Sequence, residues 1–161
     1  MIKVFTLFKE PIYKIILSLS IAACFYPLLN AEYINFDDPF HYMSNHLALD
    51  HSLSSIPRIF FTPDSVNQTY IPLSIFTYNL EHLFFGLNPA LSHAINIFTH
   101  LGAVFILARL GLALGLSLEA AYLGALIFAI HPMHVEPVAW VTSRKDVLYG
   151  LFFFASLLSY V

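Results

Sequence analysis

Hydrophobic residues in this chain gather into long runs rather than short alternations. The first runs from Ile15 to Leu29, preceded by Lys3, Lys9 and Lys14. Counting Ile12 and Tyr13, it is about 18 residues, enough to cross a bilayer core. A basic stretch before an apolar run also describes a signal peptide, but cleavage needs small residues at −3 and −1. Leu28-Leu29-Asn30-Ala31 supplies only one, so the run is read as an uncleaved first transmembrane helix. Residues 31–70 turn polar, with Glu32, Asp37, Asp38, Asp50, Asp64, histidines and prolines, and predict an exposed loop with short helices at most. Over 71–87 a 3.6-residue period returns. Leu73, Phe76, Leu80, Leu83, Phe84 and Leu87 share one face; Ser74, Thr77, Tyr78, Glu81 and His82 share the other, with Asn79 and Phe85 as exceptions. Pro72 suits the first turn of such a helix. It is expected either to lie in the membrane interface or to pack on the bundle. Asn88-Pro89 breaks the pattern. Further spans are expected over about 90–110, 117–130 and 144–161, with Gly111 and Gly115 making a turn and 131–137 a spacer. The predicted fold class is all-α: an integral membrane bundle of about four transmembrane helices, with interfacial helices in the first external loop. Residues 1–161 form one membrane domain.

Composition agrees with that pattern. Hydrophobic residues make up 58% of the chain and charged residues 11%, against roughly a quarter charged in soluble domains. The formal net charge of −3 comes without a basic stripe, which excludes nucleic acid as a partner. Cys24 is the sole cysteine, so no internal disulfide forms. The N-terminal lysines and Arg109 place the N-terminus in the cytoplasm by the positive-inside trend. Residues 31–87, with six acids and the base Arg58, then lie outside, as do residues 131–145. Arg144 and Lys145 sit there against the trend, which calls for a reason.

Four groups of residues carry candidate chemistry. In the acidic pair Asp37-Asp38, mutual repulsion favours one proton, so one carboxylate can act as a base toward a hydroxyl; the plain alternative is a solvated loop or a helix cap. Ser143-Arg144-Lys145-Asp146 has the form of a capping box, and two cations at a helix N-terminus suit a lipid phosphate, or else snorkel toward headgroups. His131, His134 and Glu136 have residue types that bind zinc or manganese, although Pro132 and Pro137 bend that segment, and the alternative is polar helix-end residues bonding the loop. His93, Asn96 and His100 form a stripe that either joins helices or meets a substrate. Trp140 reads as an interfacial anchor. Asn67-Gln68-Thr69 is a formal glycosylation sequon.

In order along the chain, these motifs resemble the N-terminal part of GT-C membrane glycosyltransferases. The closer likeness is to the transmembrane O-mannosyltransferases that carry tetratricopeptide repeats. It rests on Tyr33-Ile34-Asn35-Phe36-Asp37-Asp38, Tyr70-Ile71-Pro72-Leu73, Gly86-Leu87-Asn88-Pro89, the stripe on the second span, and above all the block from His131 to Leu148. The resemblance implies a catalytic acid in the first external loop, hence Asp37 first with Asp38 beside it. It implies a polyprenyl-phosphate sugar donor at the outer membrane face, whose phosphate meets Arg144 and Lys145. His134, Glu136 and His93 would line the same cavity. The implied acceptor is a hydroxyl, including one on protein, and the implied membrane is the bacterial inner membrane or the endoplasmic reticulum. Some members of the group need a divalent metal and others do not. Members have many more spans and carry the repeats, which are absent here, and residues 151–161 are hydrophobic to the end. The chain is therefore expected to be a fragment, inactive alone. Two other readings are a non-catalytic membrane scaffold and a small metal or ion transporter using His93, His100, His131 and His134.

Overall fold

The computed structural model describes residues 2–62 and 69–161, with side chains from Lys9 onward. Among these residues the regular secondary structure is all helical. The helices are α1 (Ile2–Phe25), α2 (His46–Leu49), α3 (Ser55–Phe61), α4 (Pro72–Phe85), α5 (Pro89–Ala113), α6 (Leu118–Ile130), α7 (Val135–Ala139) and α8 (Arg144–Tyr160). Short 3₁₀ turns follow α1 (Tyr26–Asn30) and precede α7 (Pro132–His134) and α8 (Val141–Ser143), and a π turn spans Pro39–Met43. Asp64, and Asn67 and Gln68 of the sequon, lie outside the described residues.

Among the described residues two segments are long and apolar enough to cross a membrane: Lys9–Asn30, where α1 continues into its 3₁₀ turn, and Pro89–Ala113. This fits a membrane protein. The expected third span differs in form. Helix α6 has 13 residues, about 20 Å at 1.5 Å per residue, too short alone for a core of roughly 30 Å. It reaches span length only with Pro132–Ala139, bent from it by 54°. Pro132 has no N–H for a continuing helix, and His131 takes an extended conformation in front of it. Helix α8 has 17 residues.

Helix α5 is the centre of the bundle and packs against α1, α6 and α8. Its start is set by Asn88, whose side chain accepts the N–H of Leu91, with Pro89 in the first turn. Its end corrects the sequence reading. Gly111 lies inside the helix, and the turn comes later, at Gly115 (φ 89°). The absent side chain at Gly111 serves packing: a Cβ there would stand 3.1 Å from the Cβ of Ala121. At Gly102 it would stand 3.2 Å from Leu151 of α8. Small residues thus let α6 and α8 approach α5 closely. The apolar core here includes Leu17, Ile21, Val104, Ala108, Ala125 and Val147.

The region read as an exposed loop builds a core of its own. Tyr42, Ala48 and Ile59 pack with Ile75 and Tyr78 of α4 and with Val141. Asn79, an exception in the helical pattern, is the staple. Its amide donates to the carbonyls of Asp50 at 2.7 Å and Leu47 at 3.2 Å. Helix α4 faces opposite to a soluble amphipathic helix. Ser74, Asn79 and Glu81 are buried, whereas Leu73, Leu80, Leu83, Phe84 and Leu87 are exposed. Phe76 departs from its apolar companions and packs on Phe60.

The two ends of the bundle carry different charges. At one end Lys9 pairs with Glu119 at 3.1 Å, and Glu10 with Lys14 at 2.8 Å and Arg109 at 3.3 Å. The described N-terminal lysines and Arg109 therefore share an end of the bundle. The acidic pair and the start of α8 lie together elsewhere.

Candidate functional site

Asp37 and Asp38 have contrasting surroundings. Asp38 is fully buried. Its Oδ2 accepts the N–H of Ile34 at 2.8 Å, and its Oδ1 accepts the N–H of Thr142 at 3.1 Å. A carboxylate gripping two peptide N–H groups is a strong, charge-assisted clasp. Asp37 is only partly buried, and its backbone carbonyl accepts the N–H groups of Phe40 and His41 that begin the π turn. A cavity of 250 Å³ opens beside the pair, lined by Glu32, Tyr33, Ile34, Asn35, Pro39 and Met43.

Asp38 brings the acidic loop onto the strap that leads into α8. Lys145 holds the same residue from the other side, its ammonium donating to the carbonyl of Thr142 at 3.4 Å. Phe36 and Trp140 meet with ring centroids 5.8 Å apart, and the Lys145 ammonium lies 6.0 Å from the Trp140 ring. The expected capping box is not formed: the Ser143 side chain makes no cap bond. The 3₁₀ turn Val141–Ser143 runs directly into α8, and Ser143 is buried. Lys145 remains exposed, at the mouth of a 220 Å³ groove between α4 and α8 lined by Ile71, Pro72, Leu73, Ser74, Leu148, Tyr149 and Phe152.

Arg144 points the other way. It is fully buried, and its side chain is bonded along its whole edge. Nε donates to Asn96 Oδ1 at 2.9 Å, Nη1 to Glu81 Oε2 at 2.8 Å, and Nη2 to the Ser92 carbonyl at 3.0 Å. Its guanidinium also lies over the Tyr78 ring, 4.5 Å from the centroid. Glu81 is likewise buried and accepts from the hydroxyls of Ser92 and Tyr42. Burial, followed by the Glu81 charge, pushes the Tyr42 phenol well above its usual range, so it stays a donor. Tyr78 is raised by burial too, and its hydroxyl donates to the Val141 carbonyl at 2.9 Å. Arg144 therefore has no free edge for a phosphate in this structure.

Two members of the α5 stripe, Asn96 and His100, bond neighbouring segments. Asn96 donates to the carbonyl of Trp140 at 3.1 Å, and a His100 ring nitrogen meets the Ala129 carbonyl at 3.0 Å. His93 is buried, with ring nitrogens turned toward the backbone of Glu32 and Ala139 without a fully formed hydrogen bond. It lies within electrostatic reach of Asp38 and Arg144. His134 packs on Phe128 and His100, with centroids 4.1 and 5.5 Å away, and Glu136 is exposed. No hydrogen bond ties either residue to the acidic pair. Among the described residues no three His, Cys, Asp or Glu side chains come together as a metal site. Sequence reasoning missed Glu81 as a site residue. Its only signal was an acid on the polar face of α4, and its partner lies 63 residues away.

Over 100 residues, 62% of the chain, the sequence is 35% identical to the protein O-mannosyl-transferase TMTC2 of Mus musculus. It is 36% identical to TMTC1 of Homo sapiens over 95 residues and 34% identical to TMTC4 of Homo sapiens over 108 residues, each 58% of the chain. The chain is related to the TMTC protein O-mannosyl-transferases. It spans 12%, 11% and 15% of these three relatives' own lengths. No family profile and no solved structure matches it.

Proposed function

We propose that the chain provides the acceptor-activating group and the donor-phosphate seat of a GT-C membrane glycosyltransferase. The reaction is transfer of a sugar, mannose by analogy with the relatives' names, from a polyprenyl phosphate to a hydroxyl on protein. The observation that carries this reading is the strap at Thr142. It binds the Asp38 clasp through its N–H and Lys145 through its carbonyl, drawing an exposed cation and a partly exposed carboxylate to one strap. The polyprenyl chain lies in the apolar groove beyond Lys145.

In the chemistry we propose, the Asp37 carboxylate takes the proton of the acceptor hydroxyl as its oxygen bonds to the anomeric carbon. The bond from that carbon to the phosphate oxygen breaks, and the phosphate leaves with the electron pair. The Lys145 ammonium offsets the charge that gathers there. Attack opposite the leaving group inverts the anomeric centre. Arg144 supports this site from inside the bundle. His93, His134 and Glu136 would border the cavity in the wider enzyme. The topology we propose has α1, α5, the bent α6–α7 pair and α8 as four spans, the N-terminus in the cytoplasm, and α4 in the outer interface. The membrane is that of the endoplasmic reticulum or its bacterial counterpart, and the relation to repeat-bearing transferases is part of the same proposal. A scaffold or metal-transport role gains no support from the relatives.

The test places this chain in the mouse relative in exchange for the matching segment and assays radiolabelled mannose transfer from polyprenyl-phosphate mannose. The hybrid is expected to transfer, and Asp37→Asn to reduce the rate by roughly 10²-fold or more, with insertion intact. Undiminished transfer by the Asp37→Asn hybrid would remove Asp37 from the reaction.

A further inference from the structure

Both charged dipeptides at the site divide in the same way. Asp38 and Arg144 are fully buried and hydrogen-bonded, while their chain neighbours Asp37 and Lys145 remain at the surface. The buried member of each pair fixes the backbone, and the exposed member is presented by it. For Asp38 the partners are peptide N–H groups. For Arg144 the charged partner among the described residues is Glu81, at 2.8 Å, with both side chains fully buried.

We propose that Glu81 is a positioning residue. By neutralising and holding Arg144 inside the bundle it fixes the first turn of α8, so that Lys145 is the cation that meets the lipid phosphate. This rests on the lipid-phosphate reading above. Glu81 belongs to α4 and Arg144 opens α8, so the bond between them ties together the two helices beside Lys145. Helices α4 and α8 also supply both walls of the groove at Lys145. A buried cation left without its counter-ion is costly, so an Arg144 without Glu81 would shift outward and carry the first turn with it. Other ties that set where the Arg144 side chain lies are Asn96, the Thr77 hydroxyl, the Ser92 carbonyl and the Tyr78 ring. All are neutral, so among the described residues Glu81 is the charged group bonded to Arg144.

Trp140 provides the readout, being the sole tryptophan and 6.0 Å from the Lys145 ammonium. The whole chain in lipid nanodiscs is titrated with farnesyl monophosphate, with farnesol and inorganic phosphate as separate arms, while Trp140 emission and thermal unfolding are recorded. The wild type is expected to respond to farnesyl monophosphate only. Lys145→Gln should weaken that binding at least tenfold without moving the unfolding midpoint. Glu81→Gln should weaken it as well and lower the midpoint. Glu81→Gln combined with Arg144→Gln should recover much of both losses, because no charge is left stranded. Should Glu81→Gln not insert, Glu81→Asp replaces it, with weaker binding expected in a folded chain. Binding at wild-type strength in either Lys145→Gln or the Glu81 variant overturns the inference. So does a double variant with restored stability but no binding, since the guanidinium would then be the ligand. A wild type that shows no response requiring both phosphate and chain contradicts the lipid-phosphate reading, and the inference with it.

Discussion

Asp38 spends both carboxylate oxygens on peptide N–H groups, those of Ile34 and Thr142, which leaves Asp37 as the carboxylate open to an incoming hydroxyl. Each bond to an ionised acceptor is worth about 1.5–3 kcal/mol. Asp38→Ala is therefore expected to lower stability by a few kcal/mol, about the sum of two such bonds, and to free the 31–38 loop from α8. Chemical denaturation of the reconstituted chain reads the first effect, and hydrogen exchange at Thr142 the second. An unchanged midpoint with Thr142 still protected would contradict the clasp. The acidic dipeptide itself was legible in the sequence, and so was a cationic pair at the start of a helix. Which member of each pair turns inward was not. That choice is made by Thr142, 104 residues from Asp38, and by Glu81, 63 residues from Arg144. Neither separation has a sequence period that could reveal it.

At the scale of elements, α4 is the most informative. Its 3.6-residue period divided the side chains correctly into two faces, Phe76 excepted, but a period cannot say which face meets which solvent. The buried Ser74, Asn79 and Glu81 decide it, with Leu80, Leu83 and Phe84 left outside. Exposed to water, such a row would be an aggregation patch. Its C-terminal end leads within a few residues into the span α5, so the hydrocarbon boundary is close by. A tryptophan introduced as Phe84→Trp in a Trp140→Phe background should be quenched by lipids brominated near the headgroup and only weakly by aqueous iodide. Efficient iodide quenching, or protection from both, would contradict an interfacial α4. The other edge of α4 is tied to the loop by His82, whose Nδ1 lies 2.8 Å from Nε2 of His51. Partial burial, then the nearby His51, hold the His82 pKa below its ordinary value of about 6.5. A depressed histidine favours the neutral folded form. The tie is complete above that ordinary value and weakens as pH falls through the lowered one. Proteolysis of residues 46–62 should therefore quicken as pH drops from 7.5 to about 5.5, across the ordinary histidine value, and His82→Gln should flatten that dependence. A cleavage rate that does not change with pH in the wild type would rule the tie out.

For the whole molecule, the long apolar runs made α1 and α5 readable as candidate spans, since length and composition alone mark them. The bent pair α6 and Pro132–Ala139 was harder to read because Pro132 breaks it, and Gly111 read as a turn because a glycine's use in close helix contact looks, in sequence, like a break. The small core that the 31–62 region builds on α4 was hidden for another reason: it is stapled by side-chain bonds from Asn79 to backbone carbonyls, which no hydrophobic pattern reports. That core packs the region on α4 and on Val141, at the segment that leads into α8. A groove lies between α4 and α8 beside Lys145. A second groove, 370 Å³ and apolar, lies between α1 and α5 among Leu19, Ile21, Ala22, Ile97 and Phe98. The two differ in one respect that matters for a lipid phosphate, the Lys145 cation at the mouth of the first. The most direct test is photo-crosslinking of the reconstituted chain with a benzophenone-bearing polyprenyl phosphate, followed by peptide mapping. Adducts are expected on Leu148, Tyr149 or Phe152 and are expected to be lost in Lys145→Gln. Adducts confined to the α1–α5 groove, or labelling of α8 indifferent to Lys145, would contradict a lipid-phosphate site at Lys145.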